Sequence, residues 1–170
     1  MITAHLIGDT IFSNSEEAFS LYEKSSLGEK RKNRIEYSFV ESLFLIDEGK
    51  MNVLQNSKPL SEESLLRKIK KKDKKIETKF SVFKDLRKKG YIVKTAFKYG
   101  AEFRVYEKGI KPGDRHSKWI LYTAREQDSL NWHDFAAKNR VAHSTQKKLL
   151  IAIVDEESDV TYYEISWLKT

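Results

Sequence analysis

Lys147-Lys148-Leu149-Leu150-Ile151-Ala152-Ile153-Val154 is apolar at every position from Leu149 onward. A short run of this kind, with no polar alternation, is expected of a strand covered on both faces. It is the longest wholly apolar run in the chain and falls far short of a membrane span. Downstream, Asp155-Glu156-Glu157-Ser158-Asp159 reads as a turn, and Val160 to Leu168 returns as a last strand that presents an exposed edge. Upstream, Trp132 to Asn139 is predicted helical and Ser117 to Thr123 a strand. Glu107 to Arg115, with Gly109, Pro112 and Gly113, is a loop. Phe103-Arg104-Val105-Tyr106 alternates as a strand does, and Tyr91-Ile92-Val93 begins another. Lys79 to Lys89 is predicted as a helix with Phe80, Phe83 and Leu86 inward and Gly90 as its stop.

The first half is patterned more weakly. Ile2, Ala4 and Leu6, then Thr10-Ile11-Phe12, read as short strands. Ser15 caps a helix over Glu16 to Lys24 with Ala18, Phe19 and Tyr22 on one face. Ser38 and Glu41 have capping-box spacing at the head of a helix through Leu43, Phe44 and Ile46, which Gly49 ends. Met51 to Leu54 is a short strand, and Ser61 caps a helix carrying Leu65, Leu66 and Ile69. Arg67 to Lys75 is the densest basic stretch, with Asp73 its one acid. It reads either as an RNA-contacting face or as a solvated helix end leading into a linker. The domain boundary is placed just after it, giving an N-terminal domain over 1–75 and a C-terminal domain over 76–170.

A chain of 170 residues with 39% hydrophobic and 34% charged residues can bury a sizeable core and reads as a globular, charge-rich protein. The absence of cysteine excludes disulfides, cysteine-ligated zinc and thiol catalysis. With no basic n-region and no long h-region at Met1-Ile2-Thr3-Ala4-His5, a cytoplasmic protein without a membrane segment is expected. The formal net charge of +7 favours polyanionic partners, nucleic acid among them.

Three side chains offer a base, an acid and an anion stabiliser: Tyr106, His116 in Arg115-His116-Ser117-Lys118-Trp119, and Lys147. RNA supplies its own nucleophile. Deprotonating a ribose 2′-hydroxyl lets it attack the adjacent phosphorus, and protonating the 5′-oxygen lets the next nucleotide leave. An imidazole of ordinary pKa about 6.5 can donate near neutral pH. A phenol acts as base where nearby cations favour the phenolate, which an ammonium group would do. Lys148 does not share that role, because neighbours on a strand point to opposite faces. As bare residues the three read equally as a strand-end tyrosine, a loop histidine and a solvent lysine. His116, His133 and His143 lack metal-ligand spacing, so neither metal nor cofactor is expected.

Taken in order, several motifs resemble the archaeal tRNA-intron (splicing) endonucleases. They are Tyr99-Gly100-Ala101-Glu102-Phe103-Arg104-Val105-Tyr106, His116-Ser117-Lys118, Arg140-Val141-Ala142-His143-Ser144 with Lys147-Lys148-Leu149-Leu150, and Asp155 to Tyr163. In the first half, Tyr37 to Lys50 and Lys58-Pro59-Leu60-Ser61 fit the family's N-terminal domain. The resemblance implies an α+β, mixed α/β fold: a small N-terminal α/β domain, then a nuclease domain with a mixed sheet flanked by helices. It implies Tyr106 as general base, His116 as general acid and Lys147 as transition-state stabiliser, in a catalytic subunit cutting precursor tRNA at bulge-helix-bulge junctions without a metal. The products would be 2′,3′-cyclic phosphate and 5′-hydroxyl ends. Arg140 matches an arginine that stacks on a bulged base. Trp167 is the candidate second half of that clamp and reads equally as an interface aromatic. Thr145-Gln146 stands where the family commonly has an apolar residue and an arginine, which removes a charge near the scissile phosphate. The resemblance also implies self-association, as a homotetramer or as a heterotetramer with a paralogous subunit. Tyr162 would back the edge strand, and Glu126-Gln127-Asp128 resembles a loop that docks on a neighbour. The competing readings are a non-cutting RNA-binding scaffold and a general basic ribonuclease.

Overall fold

A computed structural model describes residues 1–170. The chain forms two compact units, Met1–Phe80 and Ser81–Thr170.

The first unit holds β1 (Ile2–Ile7), β2 (Thr10–Ser13), α1 (Glu16–Ser25), β3 (Glu29–Arg31), β4 (Arg34–Tyr37), α2 (Phe39–Asp47), β5 (Met51–Gln55), β6 (Lys58–Leu60) and α3 (Glu62–Lys72). Its strands lie in the order β3-β4-β2-β1-β5-β6. Only β1 and β5 pair in parallel. Alternation along β1 buries Ile2, Ala4 and Leu6, and period-four spacing on α3 buries Leu65 and Ile69. The helix starts fall where the cap residues predict them, at Ser15, Ser38 and Ser61. Glu41 completes the capping box by accepting from the Ser38 N–H (3.0 Å) and hydroxyl (2.8 Å), and its other oxygen accepts from the Gly28 N–H (2.9 Å). A carboxylate that is 5% exposed is thus fully engaged and ties the α1–β3 corner to the head of α2.

Strands β3, β4 and β6 have no counterpart in the sequence expectations. The basic stretch is a solvated helix end, helical through Lys72, and the passage after it is short: only residues 73–75 separate α3 from α4 (Ile76–Lys88). Asp73 makes that passage tight, since its carbonyl accepts from Ile76 N–H and its carboxylate from Lys75 N–H and Lys79 Nζ. Helix α4 therefore begins at Ile76, itself buried, rather than at Lys79.

The second unit takes most of α4, then β7 (Ile92–Ala96), a single 3₁₀ turn (Phe97–Tyr99), β8 (Ala101–Tyr106), β9 (Trp119–Arg125), α5 (Trp132–Ser144), β10 (Lys148–Val154) and β11 (Val160–Ile165). The sheet order is β11-β10-β9-β8-β7, with β9 and β10 parallel and the other pairs antiparallel. This mixed sheet has helices on both faces. On one, Phe83 of α4 packs on Phe103 (ring centroids 5.9 Å apart), and Leu86 faces Val105, Trp119 and Leu150. On the other, Ala142 of α5 joins Ile120, Tyr122 and Leu149 in the core. Antiparallel neighbours are joined by turns, but the parallel β9–β10 pair needs a crossover, and α5 is that crossover. The architecture is the α+β fold expected, a small N-terminal domain followed by a C-terminal domain with a mixed sheet flanked by helices. Two boundaries move. Helix α5 runs five residues past Asn139, because Ala142 still faces the sheet. Strand β11 ends at Ile165 instead of Leu168, because its partner Leu149 lies one residue from the start of β10 and leaves nothing to pair beyond. No helix is long and apolar enough to cross a membrane.

Candidate active site

Tyr106 is the last residue of β8, and the chain passes from it to the exposed Glu107. Its neighbour Val105 pairs with Trp119 of β9, and Trp119 pairs with Lys148 of β10. Val105, Trp119 and Lys148 thus form one row across three strands. The next step out from that row holds Tyr106, Lys118 and Lys147. With strands about 4.8 Å apart, the Tyr106 and Lys147 backbones are roughly 10 Å from each other. Both side chains leave the sheet on the α5 face, the side on which Arg104 pairs with Ile120 and Ile120 with Leu149.

Backbone and side-chain bonds lock this corner. The Lys118 N–H donates to the Val105 carbonyl (2.9 Å) and the Lys148 N–H to the Lys118 carbonyl (3.0 Å). The Lys147 ammonium donates to the Ser117 carbonyl at 3.2 Å, which sets it beside the His116–Ser117 segment. Tyr106 is only 4% exposed, Lys147 is half-buried and His116 is exposed. Tyr106, Lys147 and the segment that carries His116 therefore lie at one sheet end, with Tyr106 buried and His116 exposed. Lys148, on the opposite face, pairs with Glu164 (3.0 Å). That carboxylate also accepts from the Trp119 indole N–H (2.7 Å), and these two bonds hold it below the usual carboxylate range.

The local sequence aims Lys147. Helix α5 ends in a Schellman motif: the Lys147 N–H donates to the Ala142 carbonyl (2.8 Å) and the Gln146 N–H to the His143 carbonyl (3.0 Å). Gln146 carries the left-handed turn, with φ 57°, where glycine is usual. The helix thus closes one residue before Lys147 and delivers it to the sheet.

Beyond Lys147 lies a cavity of about 310 Å³ lined by Asn139, His143, Gln146, Lys147 and Trp167. A second, of about 390 Å³, is lined by Phe135, Asn139, Arg140, Ile165 and Trp167. Arg140 and Trp167 therefore border one cleft, but the ring seated on Trp167 is that of His143, with centroids 4.1 Å apart. The sequence reading missed His143, although the three-residue spacing from Arg140 puts both on one helix face.

The remaining predicted residues lie elsewhere. Asp128 sits in a tight turn, where its carboxylate accepts from the Arg125 N–H (2.8 Å), and Glu126 is exposed beside it. Tyr162 donates its hydroxyl to Asp85 of α4 (2.6 Å). Burial and that carboxylate push its phenol well above the ordinary value. The exposed tyrosine on the β11 edge is Tyr163.

Residues 76–162 match the family "tRNA intron endonuclease, catalytic C-terminal domain", and residues 2–66 match "tRNA intron endonuclease, N-terminal domain". The chain belongs to the tRNA intron endonuclease family. It is an enzyme of this family, carrying both of its domains in order. Among relatives named "tRNA-splicing endonuclease", that of Pyrococcus abyssi is 39% identical over 170 residues, covering 99% of this chain and 98% of its own. The Thermococcus onnurineus protein is 41% identical, with 96% and 95% covered. The Nanoarchaeum equitans protein is 41% identical, with 79% and 90% covered.

Proposed function

We propose that this endonuclease excises introns from precursor tRNA at bulge-helix-bulge junctions, by a transesterification that uses side chains alone. The observation that carries the chemistry is the meeting of Tyr106, the His116–Ser117 segment and Lys147 at one sheet end, with the lysine held by the Ser117 carbonyl. Tyr106 accepts the proton of the 2′-hydroxyl, and the freed oxygen attacks phosphorus. His116 gives a proton to the 5′-oxygen as its bond to phosphorus breaks. The products are a 2′,3′-cyclic phosphate and a 5′-hydroxyl. The Lys147 ammonium, 3.2 Å from a carbonyl that it can exchange for a phosphorane oxygen, stabilises the charge that builds in between.

Arg140 and Trp167 border one cleft and would grip a bulged base between a guanidinium and an indole. Two bulges call for two sites, so the working form is an assembly, and we favour a homotetramer over a heterotetramer with a paralogous subunit. The exposed apolar groups Trp132, Tyr163 and Leu168 support self-association, with Glu126 and Asp128 as its polar contacts.

The test is incubation of the pure protein with a bulge-helix-bulge RNA in EDTA, followed by analysis of the ends. Cleavage to cyclic-phosphate ends is expected. No cleavage would leave a scaffold or a missing partner subunit. Cleavage abolished by EDTA would overturn the side-chain mechanism, and equal cutting of unstructured RNA would mark a general ribonuclease.

A further inference from the structure

The nine residues Arg67 to Lys75 hold seven cations against Asp73 alone, while the whole chain has a net charge of only +7. Lysine in the last turn of α3 suits the helix dipole, which explains some of this charge but not its placement. Lys68, Lys71 and Lys72 stand at i, i+3 and i+4, all exposed on one side of the helix, where like charges repel. They converge on a recess of about 340 Å³ in the first unit, whose rim also holds Asp9, Gln55 and Phe39. Lys72 pairs with Asp9. Neither Lys68 nor Lys71 has an ion-pair partner, whereas Lys70 and Lys79, on other sides, pair with Glu77 (2.8 Å) and Asp73 (2.7 Å). Arg67, Lys74 and Lys75 also stand without an acid, but of the unpaired cations in this stretch only Lys68 and Lys71 line the recess.

We infer that this lysine-lined recess on α3 binds the phosphate backbone of the substrate's tRNA body. The chemistry fits a polyanion with regularly repeated charge: exposed ammonium groups without counter-ions, on a rigid helix, beside a half-buried aromatic ring. Backbone contacts of this type position a nucleic acid without reading its sequence. The inference rests on the RNA reading of the preceding subsection, and its test uses binding alone so that the two can fail separately.

An intronless tRNA transcript is titrated with the full chain between 50 and 300 mM salt. For the double variant Lys68→Gln, Lys71→Gln, the slope of log affinity against log salt should shrink by roughly 1.4 to 1.8, since each phosphate contact contributes about 0.7–0.9. Affinity at the low-salt end should fall about tenfold, with kcat on a bulged precursor unchanged and its KM raised. Lys70→Gln, removing one charge outside the recess, should change both quantities by far less than half of that. An unchanged slope in the double variant, or an equal loss with Lys70→Gln, would overturn the site in favour of diffuse attraction. A change in assembly mass with unaltered tRNA binding would overturn it in favour of a contact between copies of the chain. Absence of cleavage in the wild type, with the slope effect intact, would instead remove the endonuclease reading.

Discussion

Gln146 pays for the position of Lys147. A side chain at φ 57° crowds its own carbonyl, and glycine relieves that crowding at the cost of a looser unfolded chain. Gln146→Gly is therefore expected to stabilise the protein by about 0.5–1 kcal/mol, raising Tm by roughly 2 °C in a melting experiment. Cleavage should persist, because the Lys147 N–H to Ala142 bond does not use the glutamine side chain. His116 is the opposite case, exposed and tied to nothing through its ring. Its proposed work is proton transfer, so His116→Ala should lower kcat by about 10²–10⁴-fold and leave RNA affinity nearly intact. Equal losses in both would count against it. Little at this scale was legible in the sequence without the family pattern. Tyrosine, histidine and lysine are ordinary residues, and the contact that gathers them here is to a backbone carbonyl, Ser117, which no sequence motif announces.

Elements were legible where their signals are local. Ser38 and Glu41 cap α2 because both partners lie within one helical turn, and the apolar run of β10 needs only itself to be seen. Strand β3, Glu29-Lys30-Arg31, was not legible: it is wholly exposed and exists because β4 supplies its hydrogen bonds. The corner before it depends on Gly28, at φ 82°, where an added Cβ would run into the Ile35 side chain and lie 2.9 Å from the Glu36 carbonyl. Gly28→Ala is expected to cost about 2–4 kcal/mol, read as a lower denaturant midpoint. At the other sheet, Glu164 joins β9 to β11 through Trp119 and salt-bridges Lys148 of β10. Its folded-state pKa is depressed, so its contribution is present above the unfolded carboxylate pKa and fades as pH falls through the folded one. The group is 41% exposed, which limits the effect to about 0.5 kcal/mol. Glu164→Gln should lower Tm slightly at pH 7, and by progressively less as pH falls below the ordinary carboxylate range, so the two proteins converge in acid.

For the whole molecule, the register was the hidden quantity. Nothing in residues 101–106, 117–123 or 147–154 taken singly tells which positions stand opposite, since that pairing joins segments far apart in the chain. The assembled state is equally a property above the single chain. Light scattering of the purified protein is expected to give four times the 19.9 kDa chain mass. A monomer at working concentration would leave the apolar groups Trp132, Tyr163 and Leu168 without a function in assembly.

The parallel pairing of β9 with β10 through α5 has a consequence for synthesis. A ribosome exposes Tyr106 and His116 first, then must deliver the whole crossover helix before Lys147 and its strand can pair with β9. Until then the emerging polypeptide has an incomplete sheet and lacks the proposed transition-state stabiliser. On the proposed chemistry, the nascent chain gains activity only once that strand has paired.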